Sequence, residues 1–186
     1  MKGLRVLIPA AGVVAASAGG ACAWLLLSAN GAVAVTVPKV GAQVAQVCAD
    51  LSRHLPQTVA GQSRDRTSPS SDLAAAWGKS PIVLTCGVAA PAELTPGSST
   101  YDPAAEAAYI NGISWLPIQV PDGWEFYTVQ REVYVEVFVP SSYNGNDGNP
   151  GTDAATDLTA AVLAGTPTNQ GKPGPDPDPA SAGTAQ

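Results

Sequence analysis

Apolar and polar positions change their period several times along this chain, and the changes mark its elements. Val6 to Leu27 carries no charged side chain and follows Lys2 and Arg5. About 22 residues at a helical rise of 1.5 Å span roughly 33 Å, the thickness of a bilayer's hydrocarbon core. From Gly41 to Leu55 the period becomes helical: Val44, Val47, Cys48, Leu51 and Leu55 fall on one stripe, between Pro38 and Pro56. Gln57 to Asp72 is polar and rich in Ser and Arg, which predicts a surface loop. Ile82 to Cys86 is a short β-branched run between Pro81 and Gly87, and so a strand. Two apolar runs, Ala107 to Ile110 and Ile113 to Leu116, flank Asn111-Gly112, whose residues both accept φ > 0; this predicts a tight hairpin. Pro121-Asp122-Gly123 marks the next turn, and Trp124 to Val129 the next strand. Glu132 to Val139 alternates strictly, with Val133, Val135, Val137 and Val139 on one face and Tyr134, Glu136 and Phe138 on the other. Thr152 to Ala164 predicts a second helix, its apolar side formed by Ala155, Leu158, Ala161 and Val162 and its end marked by Gly165.

This order predicts an α+β fold: a small antiparallel sheet of about four to five strands with two helices packed on one face, preceded by one N-terminal transmembrane or signal helix. The expected organisation is an anchor or signal segment over 1–35, one domain over 36–165, and a disordered tail over 166–186, where Pro and Gly are too dense to support a core. The valine face of the last strand is expected to meet the helices and the Tyr/Glu/Phe face to look outward.

Three readings compete for the N-terminal segment. An uncleaved single-pass anchor fits its length and Trp24-Leu25-Leu26-Leu27 near the far boundary. A cleaved signal peptide fits the small-x-small pattern Ala32-Val33-Ala34, with secretion after cleavage near Ala34. A lipoprotein would use Cys22, although apolar residues continue past it. In all three the positive flank stays in the cytoplasm and the domain is delivered outside the cell membrane.

Charge and cysteine usage narrow the partners. Setting Lys2 and Arg5 aside leaves seven cations against fifteen acids, a charge near −8, which argues against nucleic acid and anionic lipid surfaces as partners. Arg64 and Arg66 stand beside Asp65 in the Ser-rich loop and form no basic stripe. Cys48 and Cys86 are the two cysteines of the exported part, and in an oxidising compartment they most simply pair.

Three stretches carry a resemblance when taken together. They are Ala76-Trp77-Gly78-Lys79-Ser80-Pro81-Ile82-Val83-Leu84-Thr85-Cys86-Gly87, then Asn111-Gly112-Ile113-Ser114-Trp115-Leu116, then Arg131 to Pro140. In that order, behind an apolar segment and a first cysteine such as Cys48, they resemble an actinobacterial family of exported proteins catalogued as a domain of unknown function, number 3515. Tyr101-Asp102-Pro103-Ala104-Ala105-Glu106 departs from it as extra length before the hairpin. The resemblance implies a membrane-attached or secreted envelope protein and carries no activity with it.

Catalytic patterns are sparse. His54 is the only histidine and sits near the end of the first helix, there is no G-x-S-x-G, and no metal spacing, phosphate-cradling loop or dinucleotide fingerprint occurs. No catalytic residue, cofactor or metal ligand is therefore assigned. Asn144 to Asn149 lacks the ligand order of a calcium loop. Glu132 and Glu136 share one strand face about 13 Å apart, too wide for a glycosidase pair without a carboxylate from another strand. Trp77 is expected in a loop before Pro81. With Tyr134, Glu136 and Phe138 it forms the candidate binding face. The expected function is a non-catalytic envelope domain that contacts the membrane through its N-terminal helix and binds an envelope protein or cell-wall glycan. The alternatives are a carboxylate-dependent hydrolase of wall material and a membrane-anchored assembly subunit.

Overall fold

In the computed structural model the described residues are 31–144 and 151–169. An eight-stranded sheet organises them, larger than the four to five strands expected from periodicity. The chain begins with β1 (Val33–Ala34) and α1 (Ala42–His54), followed by β2 (Thr58–Val59), β3 (Gln62–Asp65), β4 (Thr67–Ser68) and β5 (Ala74–Trp77). It continues through β6 (Ile82–Val88), β7 (Ala108–Ile110), β8 (Ile113–Val120), β9 (Gly123–Val129), β10 (Tyr134–Pro140) and α2 (Thr152–Gly165). The large sheet runs β2-β3-β5-β6-β10-β9-β8-β7, and β1 pairs with β4 in parallel beside it. The pairings within the large sheet are antiparallel, so the fold is α+β as its element order predicts.

Two of the extra strands, β2 and β3, come from the segment expected to be a surface loop, and the third, β5, follows it. Ala60 and Gly61, both at positive φ, turn β2 back along β3, and the Ala60 amide donates to Asp157 of α2 at 2.8 Å. Polar side chains are tolerated there because β3 and β2 form the edge of the sheet, where one face stays wet. At the hairpin of β7 and β8, Asn111 (φ +47°) and Gly112 (φ +100°) occupy the two positions that favour the left-handed region, as the dipeptide requires. Pro117 lies within β8, but β7 reaches only as far as Trp115, so position 117 has no neighbour on that side and no donor is missed.

Both helices pack on one side of the sheet. The disulfide Cys48–Cys86 joins α1 to β6, with both residues fully buried, while α2 lies against β2, β7, β8 and β10. The four valines from Val133 to Val139 are buried on the helical side together with Ile82, Leu84, Ile113 and Phe126. The two helices approach closely at one point: a Cβ on Gly165 would lie 2.4 Å from the Leu51 Cα. A β-bulge at Gly87 (φ +82°) turns that residue toward α1, where a Cβ would meet Val40 and Val44 at 2.8 and 3.0 Å.

Two boundaries differ from those expected at positions 35 and 166. Val33 and Ala34, assigned by sequence to the anchor and its cleavage pattern, pair with Thr67 and Ser68, and Val33 is buried. The ordered chain also continues past Gly165. Thr166 is buried, Glu132 donates to the Pro167 carbonyl at 3.0 Å, Asn169 donates to Gln130 at 3.2 Å, and the buried Arg131 donates to the Thr166 carbonyl at 2.7 Å. The expected tail therefore has its first four residues anchored to the loop before β10. The Val6 to Leu27 run and residues 170–186 lie outside the described residues; among those described, no helix is long and apolar enough to cross a membrane.

Candidate functional site

The face opposite the helices carries the chemistry. On β10 it presents Tyr134, Glu136 and Phe138, each half-buried, in agreement with the strict alternation of that strand. Antiparallel pairing sets Glu136 opposite Tyr127 and Phe138 opposite Glu125, so β9 adds Glu125 and Tyr127 to the same face. Leu116 of β8 lies across from Tyr127 on this face, and at 4% and 8% exposure the two form an apolar floor.

Trp77 does not belong to this face. It is the last residue of β5 rather than part of a loop, it pairs with Ile82 on the helical side, and it is completely buried. Its indole N–H donates to the Pro56 carbonyl at 3.1 Å. The three tryptophans that flank strands point the same way: Trp115 is fully buried and Trp124 packs against the core. The short alanine run before Trp77 hides the strand from periodicity, because alanine has no preference for the sheet. The aromatic groups left on the outer face are Tyr127, Tyr134 and Phe138, with the exposed Tyr109 at the far edge on β7.

Glu125, Tyr127 and Glu136 form a connected unit. The Tyr127 hydroxyl is 2.9 Å from Glu125 Oε2 and 3.1 Å from Glu136 Oε2, so those carboxylate oxygens lie within about 6 Å of each other. A phenol has one proton to donate. If it donates to Glu125, the contact with Glu136 is a hydrogen bond only when the Glu136 carboxyl itself carries a proton. Electrostatics favour that arrangement. Burial and then the nearby Glu125 charge push the Glu136 carboxyl up to about 7, against an opposing pull from the Tyr127 hydroxyl. Burial, followed by the charges of Glu136 and Glu125, also raises the Tyr127 phenol far above its ordinary value, so it remains protonated. Glu136 therefore takes up, near neutral pH and below, the proton that the second contact requires.

Glu132 and Glu136, too far apart along one strand to act as a pair, would need a carboxylate from another strand, and Glu125 of β9 is the one that approaches Glu136. Glu132 precedes β10 and ties by its backbone to Pro167. The missed partner was accessible in principle: the short connection from β9 to β10 sets Tyr127 opposite Glu136 once both strands are placed. His54 is exposed at the end of α1, with Nδ1 2.8 Å from the Asp50 carbonyl, and meets none of these groups. Among the described residues no cluster of three or more His, Cys, Asp or Glu side chains is arranged to hold a metal ion. Most of the Asn144 to Asn149 loop lies outside the described residues.

The sequence profile of a family described as "Protein of unknown function (DUF3515)" matches residues 6–170. No curated protein and no solved structure matches the chain.

Proposed function

The chain belongs to this family of unknown function, and from the geometry of its sheet we propose that it is a non-catalytic, extracytoplasmic cell-envelope domain that binds a protein or cell-wall component through the face bearing Glu125, Tyr127, Tyr134, Glu136 and Phe138. The observation that carries this reading is the Tyr127 hydroxyl held between two carboxyl groups, with aromatic side chains to either side on β10. Such a surface offers carboxyl acceptors, a donor and ring faces together, and aromatic residues are enriched in interfaces. Support for the compartment comes from the uncharged run behind Lys2 and Arg5 and from the buried disulfide, a bond that persists in oxidising surroundings. In this reading the N-terminal run anchors the protein to an actinobacterial cell membrane with the domain outside.

A carboxylate-dependent hydrolase is the second reading, favoured by the separation of Glu125 and Glu136. Retaining glycosidases hold two carboxyl groups about 5–5.5 Å apart. Here, however, the gap holds a phenolic hydroxyl rather than room for a glycosidic oxygen. The binding reading is tested by placing a photo-crosslinking residue at Phe138 in the native host and identifying captured envelope components. Capture that is lost when Glu136→Gln is added supports binding; capture unaffected by that change, or none above background, overturns it. Turnover of wall material by the purified chain, abolished by Glu125→Gln, would establish the hydrolase instead.

A further inference from the structure

The Arg64-Asp65-Arg66 stretch lies several strands away from Glu125, Tyr127 and Glu136 and borders a cavity of about 440 Å³, within the range of small-ligand sites. The cavity lies where the last turn of α1 meets the end of β3, the start of β4 and the segment leading into β5. The small buried residues Ala74 and Ala75, at the start of β5, are part of its lining.

The walls are polar and partly fixed in place. Arg64 pairs with Trp77 across the β3–β5 ladder, and its guanidinium carbon stands 5.8 Å from the centroid of that buried ring. The ring is itself held by its bond to Pro56, so the guanidinium rests on a rigid support. Across the cavity the Ser52 hydroxyl donates to Asp72 at 3.3 Å, and Ser71 Oγ accepts from the Leu73 amide at 3.1 Å. Neither of these bonds uses the second oxygen of Asp72 or the hydroxyl proton of Ser71.

The lining carries two arginines and two aspartates, so a strongly charged ligand of either sign meets a like charge. A neutral polyol does not. Its hydroxyls donate to carboxylates and accept from guanidinium and serine groups, and the planar fork of Arg and the two oxygens of Asp each match a vicinal diol. We propose that this cavity is a binding site for a neutral saccharide of one or two rings, distinct from the Glu125, Tyr127 and Glu136 cluster.

The test is a titration of the full chain, kept in a detergent without sugar headgroups, with glucose, N-acetylglucosamine and maltose, followed by calorimetry and ligand-observed NMR. Inorganic phosphate and glycylglycine serve as the anionic and zwitterionic alternatives. Saturable binding of at least one sugar is expected, weakened about ten-fold by Asp72→Asn, since a charge-assisted hydrogen bond is lost. Arg64→Lys provides a second variant that keeps the charge and removes the fork, and thermal unfolding checks that both remain folded. Four results would overturn the proposal: no sugar saturating up to about 50 mM, where binding energy falls below that of a millimolar site; saturation by phosphate or glycylglycine alone; sugar binding that survives both variants; or sugar binding weakened by Phe138→Ala but not by Asp72→Asn, which would move the ligand to the Glu125, Tyr127 and Glu136 cluster.

Discussion

Glu125 and Glu136, on neighbouring strands, converge on one hydroxyl, that of Tyr127, which lies 2.9 and 3.1 Å from their carboxylate oxygens. A single phenolic proton cannot serve both, so the arrangement is most comfortable with one carboxyl protonated. Its stability then depends on pH with a definite sign. Glu136 is pushed up to about 7 in the folded chain, against an ordinary 4.5, so the folded state holds more protons than the unfolded state between those values. This contribution is fully present below about pH 4.5 and is lost as pH rises through about 7. A shift of that size corresponds to about 3 kcal/mol, which solvent screening at a half-buried site reduces to about 1–2 kcal/mol. In Glu136→Gln a neutral amide donates to Tyr127 at every pH. Denaturant midpoints at pH 5 and pH 8 should show the variant's stability falling less than that of the wild type, with a gain at pH 8. Parallel pH dependence in the two proteins would refute the shared proton.

Cys48 and Cys86 staple α1 to β6 within the core, 38 positions apart in sequence. Replacing both with serine should lower stability by about 3–4 kcal/mol, the chain-entropy value for a loop of this length. Chemical denaturation of the double variant checks the size. Thiol titration of the unfolded, unreduced protein exported by its host checks the bond, and two reactive thiols from these positions would rule it out.

Gly165 is a point of close approach between the two helices. A methyl group there would sit 2.4 Å from the Leu51 Cα and 2.7 Å from its amide nitrogen, both backbone atoms that cannot rotate away. Gly165→Ala should cost about 1–3 kcal/mol or more, the range for overpacked cores. Gly41→Ala, where a Cβ meets no atom within 4 Å, is the control and should cost no more than the roughly 1 kcal/mol of a weakened N-cap on α1.

Arg131 holds the chain after α2. Its guanidinium, buried and lowered from its usual basicity by that burial, donates to the Thr166 carbonyl at 2.7 Å. Arg131→Met removes a charge-assisted bond and should cost about 1.5–3 kcal/mol. Ending the chain after Gly165 should destabilise it further than ending it after Asn169, because Pro167 and Asn169 also bond to the loop before β10. Thermal unfolding of the two truncations checks this; equal midpoints would show that the attachment contributes nothing.

Periodicity was a good guide wherever one face of an element is buried and the other is not. The stripe from Val44 to Leu55 became α1, the Asn111-Gly112 dipeptide became a hairpin, and the valine alternation placed β10 correctly against the helices. It failed at the sheet's far edge. Gln62–Asp65 alternates between exposed and half-buried polar residues, which is how an edge strand and a loop look alike in sequence. Ala74–Trp77 owes its strand to pairing with β6, a tertiary effect without a local signal, and this hid both the burial of Trp77 and part of the cavity lining. Half of the outer-face site was legible as the Tyr134, Glu136, Phe138 alternation. The other half needed the register of β9, because the meeting of Glu125 and Glu136 is decided by which residues stand opposite one another.

The strand order also sets a schedule. Among the described strands β10 is the last made, sits between β6 and β9, and joins the earlier half of the sheet to the later half. A chain emerging from its N-terminus can complete the disulfide-stapled unit of α1, β5 and β6, and separately the β7–β8–β9 meander, but each retains an unpaired apolar edge until residue 134 and beyond arrive. Assembly is therefore a two-part process closed by its final strand, and the protein is most vulnerable to misassociation in the interval just before that closure.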